Sequence, residues 1–279
     1  MNIYLNAFFR SIIESISEFL PISSTGHLFL FSTNFPFTSI ENATELDDLF
    51  DIFIQSGAIL SVLVIYFSFL KNRVLLLQNF ILKKTTDREG YDFFKSILLG
   101  SLPILVFGFL FKKYLDQIKQ SNELLLILGL AWLIGGIIIL FIETKVSTNS
   151  ESKSFISIKN IFWIGLFQCL ALIPGVSRSG ATIMTSRYLG IKKEIAAEYS
   201  FFLAIPVLIL ASSYKLFKYR ALLNSENILI LAFGFICSFI FCLIVIRFFL
   251  FYIKKNSFSI FGYYRILLGM IVIGFYFNR

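Results

Sequence analysis

The chain has 279 residues, of which 57% are hydrophobic and only 15% are charged, and 35 of them are phenylalanine. A soluble domain carries about a quarter charged residues and could not bury this much apolar surface in one core. The composition therefore excludes a soluble globule, a disordered chain and a secreted disulfide scaffold. It predicts an all-α polytopic membrane protein that forms one integral-membrane domain over residues 1–279.

The net charge is +8, from 25 lysine and arginine residues against 17 aspartate and glutamate residues. In a soluble chain this surplus would suggest a nucleic-acid partner. Here the basic residues lie mostly between apolar runs, as the positive-inside rule describes, so we expect no nucleic-acid partner. Cys169, Cys237 and Cys242 lie in apolar stretches without ligand-like spacing, which indicates buried hydrophobic residues and not disulfides or zinc ligands.

Short apolar segments come first in the chain. Residues 1–10 lack the basic start, apolar core and cleavage site of a signal peptide. The apolar segments 12–22 and 28–37 follow, and both are too short to cross a bilayer. Short apolar pieces separated by proline and glycine are typical of re-entrant or discontinuous helices.

Longer apolar runs follow and predict about six full transmembrane helices. The runs 52–70, 124–142 and 228–246 have about 19 residues each, or roughly 28 Å of helix, which matches the hydrocarbon core of a bilayer. Four further runs are shorter or interrupted by a polar residue or a proline: 97–111, 161–176, 199–211 and 258–277.

Charged residues between the runs predict the orientation of the chain. The loop 71–95 is placed in the cytoplasm because it carries Lys71, Arg73, Lys83, Lys84, Arg88 and Lys95. The segment before the run 52–70 is placed on the outer side because it contains Glu41, Glu45, Asp47, Asp48 and Asp51 and no basic residue. The serine- and lysine-rich stretch 143–160 is predicted to be a solvated loop that separates two halves.

Two stretches of the chain resemble each other. Residues 19–26 and residues 172–180 both pass from an apolar run through a proline to a serine-rich turn that ends in glycine. An acidic residue and another apolar run follow each stretch, with Asp51 in the first case and Glu198 in the second. This echo predicts inverted repeats with halves 1–142 and 161–279, whose broken helices meet inside the membrane. The alternative is a chance similarity, since the spacing differs by one residue.

The first stretch contains a group of candidate catalytic residues. Glu14 and Glu18 are four residues apart, so a helix places both carboxylates on one face, where they repel each other or recruit a cation. Pro21 then ends the helix, and the backbone amides of the following turn, which comprises Ser23, Ser24, Thr25 and Gly26, can converge on a phosphate. His27 is the only histidine in the chain. The alternatives are a solvated face of an interfacial helix and a structural histidine.

The second stretch contains a candidate phosphate-binding arginine. Arg178 offers a planar fork that suits phosphate oxygens. Hydroxyl-bearing and small residues surround it: Ser177, Ser179, Gly180 and Thr182. The alternative is an arginine that extends to the membrane interface.

Three further polar residues lie elsewhere in the chain. Arg265 is expected either to pair with a carboxylate or to contact the ligand, Gln55 to contribute to packing and Glu198 to be a loop charge. Together, these groups suit phosphoryl transfer on a lipid-borne phosphate.

Residues 14–27 and 174–182, taken together, closely resemble the undecaprenyl-diphosphatase family linked to bacitracin resistance. The resemblance covers the whole chain, including residues 50–60, residues 196–206 and the pair Tyr264-Arg265. One departure is Ser15, which stands where the family usually has glycine and is expected to affect helix packing.

The resemblance implies an integral enzyme of the bacterial plasma membrane that removes the terminal phosphate from undecaprenyl diphosphate and thereby recycles the lipid carrier of cell-wall synthesis. It also implies interlocking inverted repeats, a site open to the outer side and stimulation by a divalent cation, Mg²⁺ or Ca²⁺. The family's nucleophile falls on Ser24 with His27 beside it, its phosphate-binding arginine on Arg178, and its two glutamates on Glu14 and Glu18.

From these residues we expect a serine mechanism. Ser24, or alternatively His27, attacks the terminal phosphorus, and His27 accepts the serine proton if Ser24 is the nucleophile. Glu14 and Glu18 are the expected cation ligands. Undecaprenyl diphosphate and membrane lipids are the expected partners, and a homodimer is a possible assembly. A polyprenyl-phosphate transporter is the alternative function, because broken helices meeting in the membrane are also typical of transporters.

Overall fold

The computed structural model describes residues 2–37, 43–147 and 156–278, and within these ranges the chain folds into helices without any strand. Glu41 and residues 148–155 of the expected linker lie outside the described residues. The described α-helices are, in chain order, α1 (Ile3–Ser17), α2 (Ser24–Asn34), α3 (Ala43–Ile65), α4 (Phe67–Ile81), α5 (Glu89–Leu110), α6 (Lys112–Gln120), α7 (Leu124–Ser147), α8 (Ile158–Gln168), α9 (Arg178–Tyr188), α10 (Lys193–Lys218), α11 (Ser225–Lys255) and α12 (Ser259–Phe277).

Six helices among the described residues are long and apolar enough to cross a membrane: α3, α5, α7, α10, α11 and α12. The prediction of an all-α polytopic membrane protein with about six spans is therefore confirmed. The shorter run 161–176 does not form a span, because α8 ends at Gln168 and only a short 3₁₀ turn follows. Pro174 and Gly175, the latter with a φ of 93°, then break the helix.

Most of the expected loop 71–95 is helical as well. α4 continues to Ile81 and α5 begins at Glu89, so only the residues between them form the link. Arg73 is accommodated within α4 because its guanidinium pairs with Glu89 and lies 4.9 Å from the ring centroid of Phe69. A basic residue with partners on a neighbouring helix does not require a loop.

Four short helices form two hairpins. α1 packs against α2 and α8 packs against α9, and we call these pairs the first and the second hairpin. α1 is the longest of the four, and its 15 residues extend over roughly 22 Å, which is too short to cross a bilayer. The hairpins match the re-entrant helices that the short apolar segments predict.

The first hairpin opens at the end of the bundle where α3 begins. Arg10 of α1 is fully buried and donates to the carbonyl of Phe35, just after α2, at 3.0 Å. The same guanidinium pairs with Asp47 at 2.7 Å and with Asp51 at 3.1 Å, both near the start of α3. We call this end of the bundle the acidic end.

The second hairpin is fixed near the end of α9. The Nε of Arg187 donates to Oε1 of Glu143, close to the end of α7, at 3.3 Å. The other carboxylate oxygen of Glu143 accepts the backbone N–H of Phe258, directly before α12, at 3.1 Å. One buried carboxylate thus joins the ends of α7 and α9 to the start of α12.

The contacts of Glu143 with Arg187 and Phe258 lie at the end of the bundle opposite the acidic end. The hydroxyl of Tyr66, directly after α3, donates to Glu198 near the start of α10 at 3.2 Å. Lys193, the first residue of α10, donates to the carbonyl of Asn256, close to the start of α12, at 3.0 Å. The hairpins therefore enter the bundle from opposite ends, as inverted repeats require. The exact halves 1–142 and 161–279 stay a prediction.

Each hairpin packs against a long helix from the other part of the chain, α1 against α11 and α8 against α5. The hydroxyls of Ser11 and Ser15 lie 3.0 Å and 3.2 Å from carbonyl oxygens of α11. The side-chain amide of Gln168 donates to the carbonyl of Gly100 in α5 at 3.1 Å. Such hydrogen bonds hold apolar helices together in a membrane. Ser15, where the resemblance leads us to expect glycine, therefore fits its place by bonding to α11.

Candidate active site where the two hairpins meet

The two helix breaks share the same unusual backbone conformation. Ser23 has φ 75° and ψ 97°, and Ser177 has φ 75° and ψ 118°, and each precedes the first residue of a helix. For residues other than glycine such conformations cost roughly 1–3 kcal/mol and occur mainly at functional sites. When Ser23 is aligned with Ser177, Ser24 pairs with Arg178. The two stretches differ by one residue because Pro21 lies two residues before Ser23, whereas Pro174 lies three residues before Ser177.

Glu18 lies where the two breaks meet. The hydroxyl of Ser24 donates to its Oε2 at 2.5 Å, and Nη2 of Arg178 donates to its Oε1 at 2.9 Å. The hydroxyl of Ser179 lies 3.1 Å from the Glu18 carbonyl and 2.8 Å from that of Leu20. Arg178, which is 160 residues from Glu18 in the sequence, is thus brought to the Ser24–Glu18 pair of the first break.

Arg178 points into the protein and not to the membrane interface. Its side chain is 9% exposed. Besides its contact with Glu18, its Nη1 donates to the carbonyl of Ser200 in α10 at 2.8 Å. The alternative in which the arginine extends to the interface is therefore excluded by the geometry.

The remaining hydroxyls of the second break bind the protein itself. Ser177 accepts the backbone N–H of Gly180 at 3.0 Å and lies 3.1 Å from the hydroxyl of Ser179. The hydroxyl of Thr182 lies 2.7 Å from that of Ser200 and is fully buried. These hydroxyls stabilise the turn itself. Arg178 is therefore the residue of this turn that can offer a positive charge to a bound anion.

The first break differs because the start of α2 has no side-chain cap. Ser23 is buried, Thr25 is exposed, and the first-turn amides of α2 carry the positive end of the helix dipole. A Cβ on Gly26 would lie 2.4 Å from the ring of Trp132, so only glycine allows this close packing. The backbone N–H groups in the first turn of α2 are therefore free of a side-chain cap, whereas in the second turn Ser177 accepts the N–H of Gly180.

His27 is close to Ser24 in the chain but is bonded elsewhere. Its Nδ1 donates to the carbonyl of Ser23 at 2.6 Å, and its Nε2 lies 2.7 Å from the hydroxyl of Tyr264. The expected proton transfer from Ser24 to His27 has no support in the geometry, because the serine proton faces Glu18.

Arg265 holds both breaks in place. Its Nη1 donates to the carbonyls of Pro21 at 3.2 Å and Val176 at 2.9 Å, and its Nη2 to those of Ala131 at 2.8 Å and Gly175 at 3.0 Å. The expected carboxylate partner is absent among the described residues, since all four partners are backbone carbonyls. Contact of Arg265 with a ligand stays a prediction. The side chain is 1% exposed, and it fixes the two turns to α7 and α12.

Glu14 is fully buried, and neither of its carboxylate oxygens has a hydrogen-bond partner among the described residues. Glu18 lies four residues further along the chain, which places its carboxyl group on the same helix face as that of Glu14. Two unbonded oxygens beside a second carboxylate fit a divalent cation, which prefers oxygen ligands. Within the described ranges, no group of three or more histidine, cysteine, aspartate or glutamate side chains could hold a metal ion.

Sequence reasoning missed several contacts of the site. The Ser200 carbonyl and the Trp132 indole gave no signal in the sequence, because a backbone acceptor and a buried aromatic residue occur everywhere in an apolar helix. Glu198, expected as a loop charge, lies on α10 and accepts from Tyr66. Gln55 is largely buried on α3, in keeping with a packing role.

An arginine, a serine and carboxylates that meet between two broken helices, inside a bundle of apolar helices, define a polytopic membrane protein with an internal site for an anion. The family model described as bacitracin resistance protein BacA matches residues 7–271. The chain belongs to this family, and the resemblance inferred from its motifs is confirmed.

Similar proteins agree with the family. A protein of Leptospira interrogans serogroup Icterohaemorrhagiae serovar copenhageni is 57% identical over 270 residues, which cover 97% of each chain. One of Leptospira biflexa serovar Patoc is 54% identical over 276 residues, covering 99% of this chain and 98% of that one. One of Aquifex aeolicus is 39% identical over 268 residues, covering 95% of each chain. All three are named undecaprenyl-diphosphatase.

Proposed function

We propose that this chain is an enzyme that hydrolyses undecaprenyl diphosphate to undecaprenyl phosphate and inorganic phosphate, and so recycles the lipid carrier of cell-wall synthesis. The names of its relatives support this substrate. The observation that carries the proposal is the contact of Glu18 with both Ser24 and Arg178. A site between apolar helices suits a substrate whose phosphates are attached to a lipid chain.

Arg178 and the uncapped first turn of α2 bind the diphosphate in this proposal. The guanidinium offers two donors to phosphate oxygens, and the amides after Ser23 add further donors together with the helix dipole. A phosphate that enters between Ser24 and Arg178 replaces the contact of the arginine with Glu18. The carboxylate then keeps the Ser24 hydroxyl as its partner.

Ser24 attacks the terminal phosphorus, and its proton passes to Oε2 of Glu18. A bond forms between the serine oxygen and phosphorus while the bond from phosphorus to the bridging oxygen breaks, and undecaprenyl phosphate leaves. Water then adds to the phosphoserine, and the serine oxygen leaves with the proton that Glu18 returns. Phosphate is released, and both side chains regain their starting states.

His27 remains the alternative nucleophile, because its Nε2 carries a lone pair in the neutral ring. Phosphate trapped on the enzyme with radiolabelled substrate distinguishes the two residues. A phosphoserine is stable in acid, whereas a phosphohistidine is labile in acid and stable in base. Acid-stable label that disappears in Ser24→Ala is the expected result, and acid-labile label would overturn the role of Ser24.

Glu14 and Glu18 would hold a divalent cation, Mg²⁺ or Ca²⁺, in this proposal. The fully buried, unbonded oxygens of Glu14 support it. When bound, the cation supplies positive charge that lowers the repulsion between the substrate and the two carboxylates.

The variant Arg178→Ala tests the proposed function most directly. Phosphate release from undecaprenyl diphosphate, measured with purified protein in detergent, should fall roughly 10²-fold or more. Arg247→Ala is the matched control, because Arg247 is exposed on α11 and should retain wild-type turnover. Near-wild-type turnover of Arg178→Ala with an unchanged melting temperature would contradict the proposal.

Transport of polyprenyl phosphate is the second function that the sequence suggested. The names of the relatives favour hydrolysis. Phosphate release in detergent, where there is no membrane to cross, separates the two functions, because a transporter alone would release none.

We also infer that the chain lies in the bacterial plasma membrane with its acidic end on the outer side, and that the site opens to that side. The basic residues of α4 and of the link to α5 support this orientation through the positive-inside rule. A cysteine at exposed Thr25 that reacts with an impermeant thiol reagent in intact cells would support it. Labelling only after the membrane is opened would contradict it.

A further inference from the structure

The imidazole of His27 has partners on both nitrogens, and the chemistry of these partners limits where its protons can lie. The Ser23 oxygen, 2.6 Å from Nδ1, is a carbonyl and can only accept, so Nδ1 carries the proton. In the neutral ring Nε2 is then an acceptor. The Tyr264 hydroxyl, 2.7 Å away, is the donor to that lone pair.

The orientation of the same ring is fixed by two aromatic neighbours. The ring of Tyr264 lies nearly parallel to it, with an interplanar angle of 11° and a centroid distance of 5.7 Å. The ring of Trp132 lies 5.2 Å away at 59°. Trp132 is itself fully buried and donates from its indole to the carbonyl of Ile22 at 2.9 Å.

Tyr264 is held in register with the site by the next residue in the chain. Arg265 donates to carbonyls of both helix breaks, which fixes this turn of α12 relative to Ser23 and His27. Tyr264 is nevertheless 42% exposed, so the stacked rings are accessible beside the helix breaks and do not lie in the packed core, and we call this side the open edge of the site. A substrate can therefore reach the ring without breaking the core.

We propose that Tyr264 is a positioning residue that, together with the Ser23 carbonyl, holds His27 in the tautomer with the proton on Nδ1 and directs the Nε2 lone pair to the open edge of the site. The serine proton already has an acceptor in Glu18, so His27 is free for another task. In the enzyme, and here the inference rests on the proposed function, Nε2 exchanges the tyrosine hydroxyl for a donor on the substrate or on the attacking water.

Because His27 is the only histidine of the chain, isotope labelling of histidine gives one imidazole whose two nitrogen resonances report directly on this arrangement. Without substrate, the wild-type protein should show a protonated Nδ1 and an unprotonated Nε2. Tyr264→Phe keeps the stacked ring and removes the hydroxyl, and it should shift the Nε2 resonance toward that of a nitrogen without a donor. Tyr263→Phe is the matched control, because Tyr263 is the exposed neighbour at 65%, and it should leave both resonances unchanged.

The catalytic part of the inference has its own readout. Tyr264→Phe should lower kcat about tenfold, as expected for the loss of one aligned hydrogen bond, with KM within about twofold of the wild type. An Nε2 resonance that is the same in Tyr264→Phe and wild type, or a wild-type protein protonated on Nε2, would overturn the positioning role. Unchanged kcat in Tyr264→Phe would overturn its effect on the reaction. A wild-type protein that releases no phosphate would instead overturn the proposed function, and the resonances would still report on Tyr264.

Discussion

Ser24 and Arg178 occupy equivalent places at the two helix breaks, and both donate to the same carboxylate. Each is the first residue of a helix that follows a serine with φ 75°. Glu18 receives the serine hydroxyl on one oxygen and the guanidinium on the other. The two hairpins thus use one backbone conformation to present two different groups, a hydroxyl in the first and a positive charge in the second.

Glu18→Gln should abolish most of the activity without unfolding the protein. The amide keeps the size of the side chain and one acceptor oxygen for Arg178, but it cannot take the proton of Ser24. We expect kcat to fall roughly 10²- to 10⁴-fold, the usual contribution of a general base. Phosphate release and thermal unfolding in detergent would be measured side by side. A variant that keeps more than half of the wild-type kcat would show that another group accepts the proton.

Glu14→Gln should separate cation binding from the chemical step. A buried carboxylate beside another carboxylate is unfavourable without a cation, so the variant should unfold at a higher temperature than wild type in a chelator. The stabilisation of the wild-type protein by added Mg²⁺ or Ca²⁺ should be smaller in the variant. Equal stabilisation of both proteins by the cation would exclude Glu14 as a ligand.

Gly26→Ala should distort the first turn. The added Cβ would lie 2.4 Å from the Trp132 ring, and overpacking of this kind costs about 1–3 kcal/mol. Gly274→Ala is the control, because nothing lies within 4 Å of its Cβ position and alanine favours the helix. Melting temperatures in detergent should fall for Gly26→Ala and stay equal or rise for Gly274→Ala. Equal melting temperatures for wild type and Gly26→Ala would show that the turn adapts.

Arg265→Met should separate the two breaks. Methionine fills the space of the side chain but leaves the four carbonyls of Pro21, Val176, Ala131 and Gly175 without their donor. Each buried acceptor left without a partner costs about 1–3 kcal/mol. The variant should therefore be much less stable and also less active than the exposed control Arg247→Met. A melting temperature equal to that of the control would mean that Arg265 does not hold the two turns.

The sequence carries the candidate residues but only part of their arrangement. Composition and run length predict the helices, and the serine-rich breaks predict where the chain folds back. The partner of each side chain depends on the approach of distant helices. Arg265 could be identified as a buried cation in an apolar run, yet backbone carbonyls cannot be distinguished from carboxylates as its partners before the fold is known.

The assignment of the serine proton shows the same limit. The three-residue spacing of Ser24 and His27 suggests a relay along one helix, whereas the fold places Glu18 against the serine and Tyr264 against the histidine. Arg73 gives a second example of contacts that the sequence does not reveal. The cluster of basic residues around it predicts a loop, but its contacts with Glu89 and with an aromatic ring stabilise a helix there.

The interlocked packing of the hairpins has a consequence for biogenesis. α1 rests on α11, near the end of the chain, and α8 rests on α5, which is made much earlier. A ribosome that has released only the first hairpin has produced Ser24 and Glu18 but neither Arg178 of α9 nor Arg265 of α12. The proposed site is therefore incomplete until the last helix of the chain has been made and packed.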